Sequence, residues 1–310
     1  MSLHQPVIFN SPSHPGRNVS YLHLNEGAAH TLLFCYGAAD ASLAVNVFQP
    51  FVESHPDLSV LCVDRWTQGD DVARSGQQLI SELSEITLEL LDFLHIQRFA
   101  IAAHSAGVYQ LLDLARHAGA KRLTNLFFVC THIPAPYTGS KLMEWMCTMP
   151  NSLFRMVTKL DSSLGDTWIA SAFVGIFGKE EPEGDAENAL VAPKARQRLV
   201  AQHIRTQFRD QKAARERLDI DYRIGYERFE GITNDTLMRL YKDCPIDPTW
   251  FTTNGDVFFG PESVHRMVEH LQKADWKIIV VPEGTHADIY FRVKVWEKMY
   301  TEIIAAKEGS

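Results

Sequence analysis

FAIAAHSAGVYQLLDL, residues 99–114, decides how the rest of the chain is read. Phe99–Ala103 is apolar without interruption, as a strand buried on both faces should be, whereas Ala106–His117 carries its apolar residues at helical spacing. Ala103-His104-Ser105-Ala106-Gly107 must therefore turn a strand into a helix within a few residues. A turn that tight needs small neighbours, because backbone and helix pass close by, and it lifts the serine hydroxyl above the C-terminal edge of a sheet. A small residue, a serine and a glycine at this spacing arise by chance ~0.2 times in a chain of this length. The position between strand and helix carries the weight, not the pentapeptide.

Working outward, short β-branched or aromatic runs alternate with longer helical patterns. Thr31–Tyr36 and Ser59–Val63 read as buried strands, with helices predicted over Ser42–Ser54 and Gln77–Leu94. Leu126–Cys130 is the next strand, and the rhythm resumes with Thr249–Thr253, helix Pro261–Ala274, Lys277–Val281 and helix Arg292–Ala306. Val7–Phe9 and Val19–Leu24 could supply antiparallel edge strands. Strand–helix alternation with short loops implies right-handed crossovers and a mostly parallel central sheet flanked by helices, an α/β fold.

Between the two runs, 138–244 breaks the rhythm. Its apolar residues fall at helical intervals, Pro134, Pro136 and Gly139 mark the entry, and Pro245 and Pro248 mark the exit. The expected organisation is a core of residues 1–137 and 245–310 with an inserted helical cap over 138–244. The first part of that insertion, rich in Met, Trp and Phe, is expected to roof an apolar gap. Such a roof suits a mid-sized apolar small molecule and not a polymer.

Composition narrows the partners. Lys plus Arg total 30 against 38 Asp plus Glu, a formal charge of −8. The densest cationic stretch, Lys194–Arg228, is interleaved with Asp210, Glu216, Asp219, Asp221 and Glu227, so it reads as a solvated helical surface and nucleic acid is excluded as a partner. The histidines do not cluster at metal-ligand spacings, so no metal and no cofactor is expected. Cys35, Cys62 and Cys130 sit in apolar runs, as buried unpaired thiols do. MSLHQPVIFN lacks the charged and apolar regions of a secretory signal, and no apolar run approaches a membrane span, so a cytoplasmic protein is expected. A homodimer stays open.

A serine nucleophile needs a base and a group to orient that base. Pro282-Glu283-Gly284-Thr285-His286 follows the last short strand and puts His286 on a loop at the serine's edge of the sheet. The preceding strand runs into Asn254-Gly255-Asp256, which puts Asp256 on the neighbouring loop. Thr131–Tyr137, the other place for the acid, holds no Asp or Glu. Ser, Asp and His each follow a strand in that order.

With those residues the sequence resembles the α/β-hydrolase superfamily, in particular its serine members with a helical cap after the sixth strand; the resemblance covers roughly 19–137 and 245–310. It implies Ser105 as nucleophile, His286 as general base and then acid, and Asp256 as the orienting acid. It also implies an oxyanion hole from the backbone N–H of Ala106 and, in the loop Cys35-Tyr36-Gly37-Ala38, that of Ala38. Ala103 stands for the first motif glycine, Tyr36-Gly37 for the usual His-Gly, and Asp64-Arg65-Trp66-Thr67-Gln68-Gly69 keeps only an Asp and a Gly of the usual loop after strand four. Tyr36, His132, Trp145, Met146 and Met149 are candidates to line the pocket, and His104 is read as structural.

The implied activity is hydrolysis of an apolar small-molecule ester, lactone or thioester through an acyl-enzyme, since a serine disfavours the epoxide and haloalkane chemistry that needs a carboxylate there. Capped serine members also suggest C–C bond hydrolysis in secondary metabolism. The same triad could serve a lyase, acyltransferase or cyclase, and the same fold a non-catalytic ligand-binding protein.

Overall fold

The computed structural model describes residues 4–38, 42–65, 75–154, 190, 220, 223–224, 226, 228, 231–256, 258–286 and 289–308. Eight strands form one sheet: β1 (Val7–Asn10), β2 (Asn18–Leu24), β3 (His30–Cys35), β4 (Leu58–Val63), β5 (Phe99–His104), β6 (Leu123–Val129), β7 (Thr249–Gly255) and β8 (Lys277–Thr285). Their order across the sheet is β1-β2-β4-β3-β5-β6-β7-β8. The β1–β2 and β2–β4 pairs are antiparallel, and every pairing from β4 to β8 is parallel.

The parallel strands lie between two apolar layers, and alternate side chains feed each. Leu33, Cys35, Ile101, Ala103 and Trp250 face a layer formed with α2 (Gly76–Phe93) and α3 (Val108–Ala118). Leu32, Phe34, Ala100, Ala102 and Phe251 face the other, formed with α1 (Gln49–Ser54) and the C-terminal helix Val293–Glu308. The period of two follows from the pleat. In the second layer the Trp296 ring lies 4.1 Å from that of Phe48.

Three local departures have physical reasons. Ser42–Phe48 is a 3-10 helix, and the α-helix begins only at Gln49, because Pro50 has no N–H to extend a ladder from the preceding turn. β8 continues past Val281 through Pro282 to Thr285, which is tolerated because β8 is an edge strand. β6 starts at Leu123, earlier than its apolar run, through the half-buried Thr124 and Asn125.

Of the stretch 138–244, residues 138–154 with the helix Lys141–Thr148 are described, and so is the helix Asn234–Lys242. The latter packs Leu237, Leu240 and Tyr241 on the first core layer, with Tyr241 stacked 5.6 Å from Trp250. Residues 155–189 and 191–219, with Met156, Trp168, Phe173 and Phe177 of the expected roof, lie outside the described residues. Among the described residues, no helix is long and apolar enough to cross a membrane.

Candidate active site

β5 ends at His104, and the 3-10 turn Ser105–Gly107 leads straight into α3. Ser105 takes a left-handed backbone, φ +50°, a conformation that costs a non-glycine residue about 1–3 kcal/mol. Gly107 is required by contact: a Cβ there would stand 2.2 Å from the Cys35 carbonyl oxygen and 2.5 Å from that of Tyr36. Backbone atoms cannot step aside, so Gly107→Ala is expected to cost about 3 kcal/mol, read as a lower urea midpoint at unchanged slope.

The ends of β7 and β8 touch as closely. A Cβ on Gly255 would lie 2.1 Å from the Gly284 carbonyl oxygen, and Thr253 Oγ1 donates to that oxygen at 3.0 Å. The loops after the two strands are thereby held side by side. His286 Nδ1 lies 2.8 Å from Asp256 Oδ2, and His286 Nε2 lies 3.0 Å from Ser105 Oγ. The structure brings these three sequence-predicted residues into one hydrogen-bonded chain, although 181 residues separate the serine from the histidine. An ionised carboxylate only accepts, so Nδ1 of the neutral ring carries the hydrogen and Nε2 is left to accept from the serine.

Asp256 is buried, and its second oxygen is occupied as well. Oδ1 accepts the backbone N–H groups of Phe258 and Phe259 at 2.8 and 2.9 Å. Burial pushes this carboxyl up, but the His286 partner and the two backbone donors outweigh it, and the net pKa is lowered from 3.8.

Around the chain, the Phe258 and Phe259 rings stand 5.6 and 5.4 Å from the His286 ring. His104 is buried and turned away from the serine. Its Nε2–H donates to the His286 carbonyl oxygen at 2.8 Å, and its ring lies 4.5 Å from that of Tyr290. His132, also buried, receives the Tyr241 hydroxyl on its carbonyl at 2.6 Å and gives its own N–H to the Ser105 carbonyl at 3.0 Å. Ala106 backs a cavity of about 10 Å³ that Arg65, Tyr109, Gln110 and Ile224 also line. Ala38 follows the Tyr36-Gly37 loop and is half-buried.

The other expected pocket residues fall in different places. The Tyr36 ring is packed in the second core layer, and its hydroxyl donates to Asp64 Oδ1 at 3.3 Å while accepting the Arg65 N–H at 2.8 Å. A side chain bonded in that way supports the loop. Trp145 is 49% exposed, Met149 is buried, and the Met146 side chain lies outside the described residues, as does Trp66. Sequence reading missed the phenylalanine pair and the engagement of Arg65 with the Tyr36 and Gly37 carbonyls. Phe258-Phe259, beginning two residues after the acid, is the one signal that could have pointed to the former.

The Cys130 thiol joins Asp256 and His286, the ligand atoms of the three lying within 4.8 Å of one another. A metal ion placed among them would have to displace the proton between His286 and Asp256, so the donors fit a hydrogen-bonded pair better than a cation.

No protein-family profile and no curated protein matches the chain in sequence. Solved structures match in shape. A carboxylesterase of the thaumarchaeon Nitrososphaera gargenis superposes with a TM-score of 0.65 at 14% identity, over 98% of this chain and 100% of that one. A thermophilic esterase from Thermogutta terrifontis gives 0.62 at 16% identity, over 98% and 97%. The enol-lactonase of Burkholderia xenovorans LB400 gives 0.56 at 14%, over 96% and 100%. The sheet order, the parallel register and these superpositions agree: the chain has the α/β-hydrolase fold.

Proposed function

We propose that the chain is a serine hydrolase acting on an apolar small-molecule ester, lactone or thioester. The observation that carries this is the continuous chain Ser105 Oγ, His286 Nε2, His286 Nδ1 and Asp256 Oδ2, at 3.0 and 2.8 Å. A second support is the company of the fold, since its structural neighbours include a carboxylesterase, an esterase and an enol-lactonase. The aromatic rings beside His286 favour an apolar acyl or alcohol group there.

In this mechanism His286 Nε2 takes the hydroxyl proton as Ser105 Oγ attacks the acyl carbon. The carbonyl oxygen becomes an oxyanion, held by the backbone N–H groups of Ala38 and Ala106. His286 then passes its proton to the leaving alkoxide or thiolate. Water, deprotonated by the same nitrogen, attacks the acyl-enzyme and frees the acid. Asp256 keeps Nδ1 protonated and stabilises the imidazolium. In this reading 138–244 serves as an inserted cap, and residues 1–137 and 245–310 as the hydrolase core.

Intact-mass analysis after exposure to a fluorophosphonate tests the reading. One adduct is expected on the wild type and none on Ser105→Ala. A folded wild type that gains no adduct, yet binds apolar esters without turnover, would favour a ligand-binding protein of this fold. An adduct accompanied by C–C cleavage or acyl transfer, in place of ester hydrolysis, would keep the triad and change the reaction.

A further inference from the structure

We infer that Arg65 is a positioning residue for the oxyanion hole, its guanidinium fixing the two peptide planes that precede and include the Ala38 N–H. The inference rests on the reading of Ser105 as nucleophile and extends it to a side chain of the loop after strand four.

Arg65 is buried, two residues past β4. Its Nη1 donates to the Tyr36 carbonyl and its Nη2 to the Gly37 carbonyl, the latter at 2.6 Å. The guanidinium carbon lies 4.1 Å from the centre of the Tyr36 ring. The Tyr36 hydroxyl ties back to the Arg65 N–H and to Asp64, whose carboxylate also takes the Ser42 N–H at 2.7 Å and the Ser42 hydroxyl at 3.1 Å. Two loops that approach the same edge of the sheet are thus locked together through one residue. The rigid planar fork of an arginine holds two successive carbonyls in a fixed geometry, whereas a lysine ammonium has donors enough but no such plane to impose.

The consequence lies on the other side of those carbonyls. In a planar trans peptide the C=O and the following N–H point in opposite directions. Holding the Tyr36 oxygen therefore aims the Gly37 N–H, and holding the Gly37 oxygen aims the Ala38 N–H, away from Arg65. The loop rides directly on the nucleophile: a Cβ on Gly37 would lie 3.2 Å from Ser105 Cβ and 2.9 Å from His104 Nδ1. β3 ends at Cys35, so no strand pairing sets these planes, and the arginine does.

The test uses p-nitrophenyl butyrate turnover by Arg65→Lys, Arg65→Met and Arg65→Ala, each assayed well below its own Tm. Turning a donor away weakens an interaction made in the transition state, so kcat should fall on the order of 10- to 100-fold in all three while KM stays within about twofold. Guanidinium ion added to Arg65→Ala should restore a large part of the lost kcat, and methylammonium should not. The acid limb of the pH profile should keep its midpoint, because the His286–Asp256 pair is untouched. Wild-type kcat in folded Arg65→Lys would overturn the inference, since charge without the fork would then suffice. Unchanged kcat in Arg65→Met, or a loss confined to KM, would overturn it equally. A wild type that neither turns over nor labels at Ser105 would remove the reading beneath it, a result distinct from a labelled wild type with indifferent Arg65 variants.

Discussion

Ser105→Ala is expected to lower kcat on the order of 10⁵- to 10⁶-fold, with the fold retained. The reason is local. The hydroxyl is the only atom removed, and it is the atom that meets His286 Nε2 at 3.0 Å. Alanine meets the same φ of +50° as serine does, so the turn is no more strained than before. Whatever rate survives would come from the backbone donors and from substrate binding, which the substitution leaves in place. Single-turnover kinetics on a chromogenic butyrate ester, with a thermal melt of each protein, is the measurement. Turnover within about tenfold of wild type would place the nucleophile elsewhere.

Asp256→Asn should lower kcat by about 10⁴-fold, although the side chain keeps its size. Two backbone N–H groups, from Phe258 and Phe259, meet Oδ1. An amide nitrogen cannot accept them, so the asparagine must turn its carbonyl oxygen toward them and its NH₂ toward His286. Nδ1 is then obliged to accept, and the ring proton moves to Nε2, where it faces Ser105. In that tautomer the imidazole cannot take the hydroxyl proton. A loss smaller than about tenfold would show that Asp256 does not set the tautomer.

The same substitution has a signature in stability against pH. The Asp256 carboxyl is lowered in the folded state, so it contributes stability that is present above the ordinary value of 3.8 and is lost as pH falls through the folded value. Urea melts across the acid range should show the wild type losing this contribution below about pH 3.8, whereas Asp256→Asn has none to lose. Parallel curves for the two proteins would contradict the lowered carboxyl.

The parallel strands were legible in the sequence because burial on both faces leaves unbroken apolar runs such as Ser59–Val63 and Phe99–Ala103. Ser105, Asp256 and His286 were legible for a related reason: each follows such a run by a residue or a few, and parallel register delivers those ends to one edge. The engagement of Arg65 and the partner of His104, itself read as structural, were not. Both side chains meet backbone carbonyls, those of Tyr36, Gly37 and His286, and a carbonyl leaves no mark on residue type. The Tyr36 hydroxyl bond to Asp64 was hidden as well, since an aromatic next to a site loop does not show where its hydroxyl will turn. The extension of β8 through Pro282 was hidden because a proline reads as a break unless the strand is known to be an edge.

That edge position has a bearing on how the molecule fails. Among the described residues β8 is paired on one side only, by β7; of its described side chains Val281 is the buried one, and Val280 is 42% exposed. Strands of this kind open by themselves, at a fraction of the free energy of global unfolding. His286 hangs from the end of this strand, while Ser105 is anchored on a strand enclosed by two neighbours. Warming or mild denaturant should therefore peel the proton carrier from the nucleophile while the rest of the sheet still stands. Activity followed on heating should then be lost reversibly, and at a lower temperature than the unfolding seen by circular dichroism; coincident curves would contradict local opening of β8.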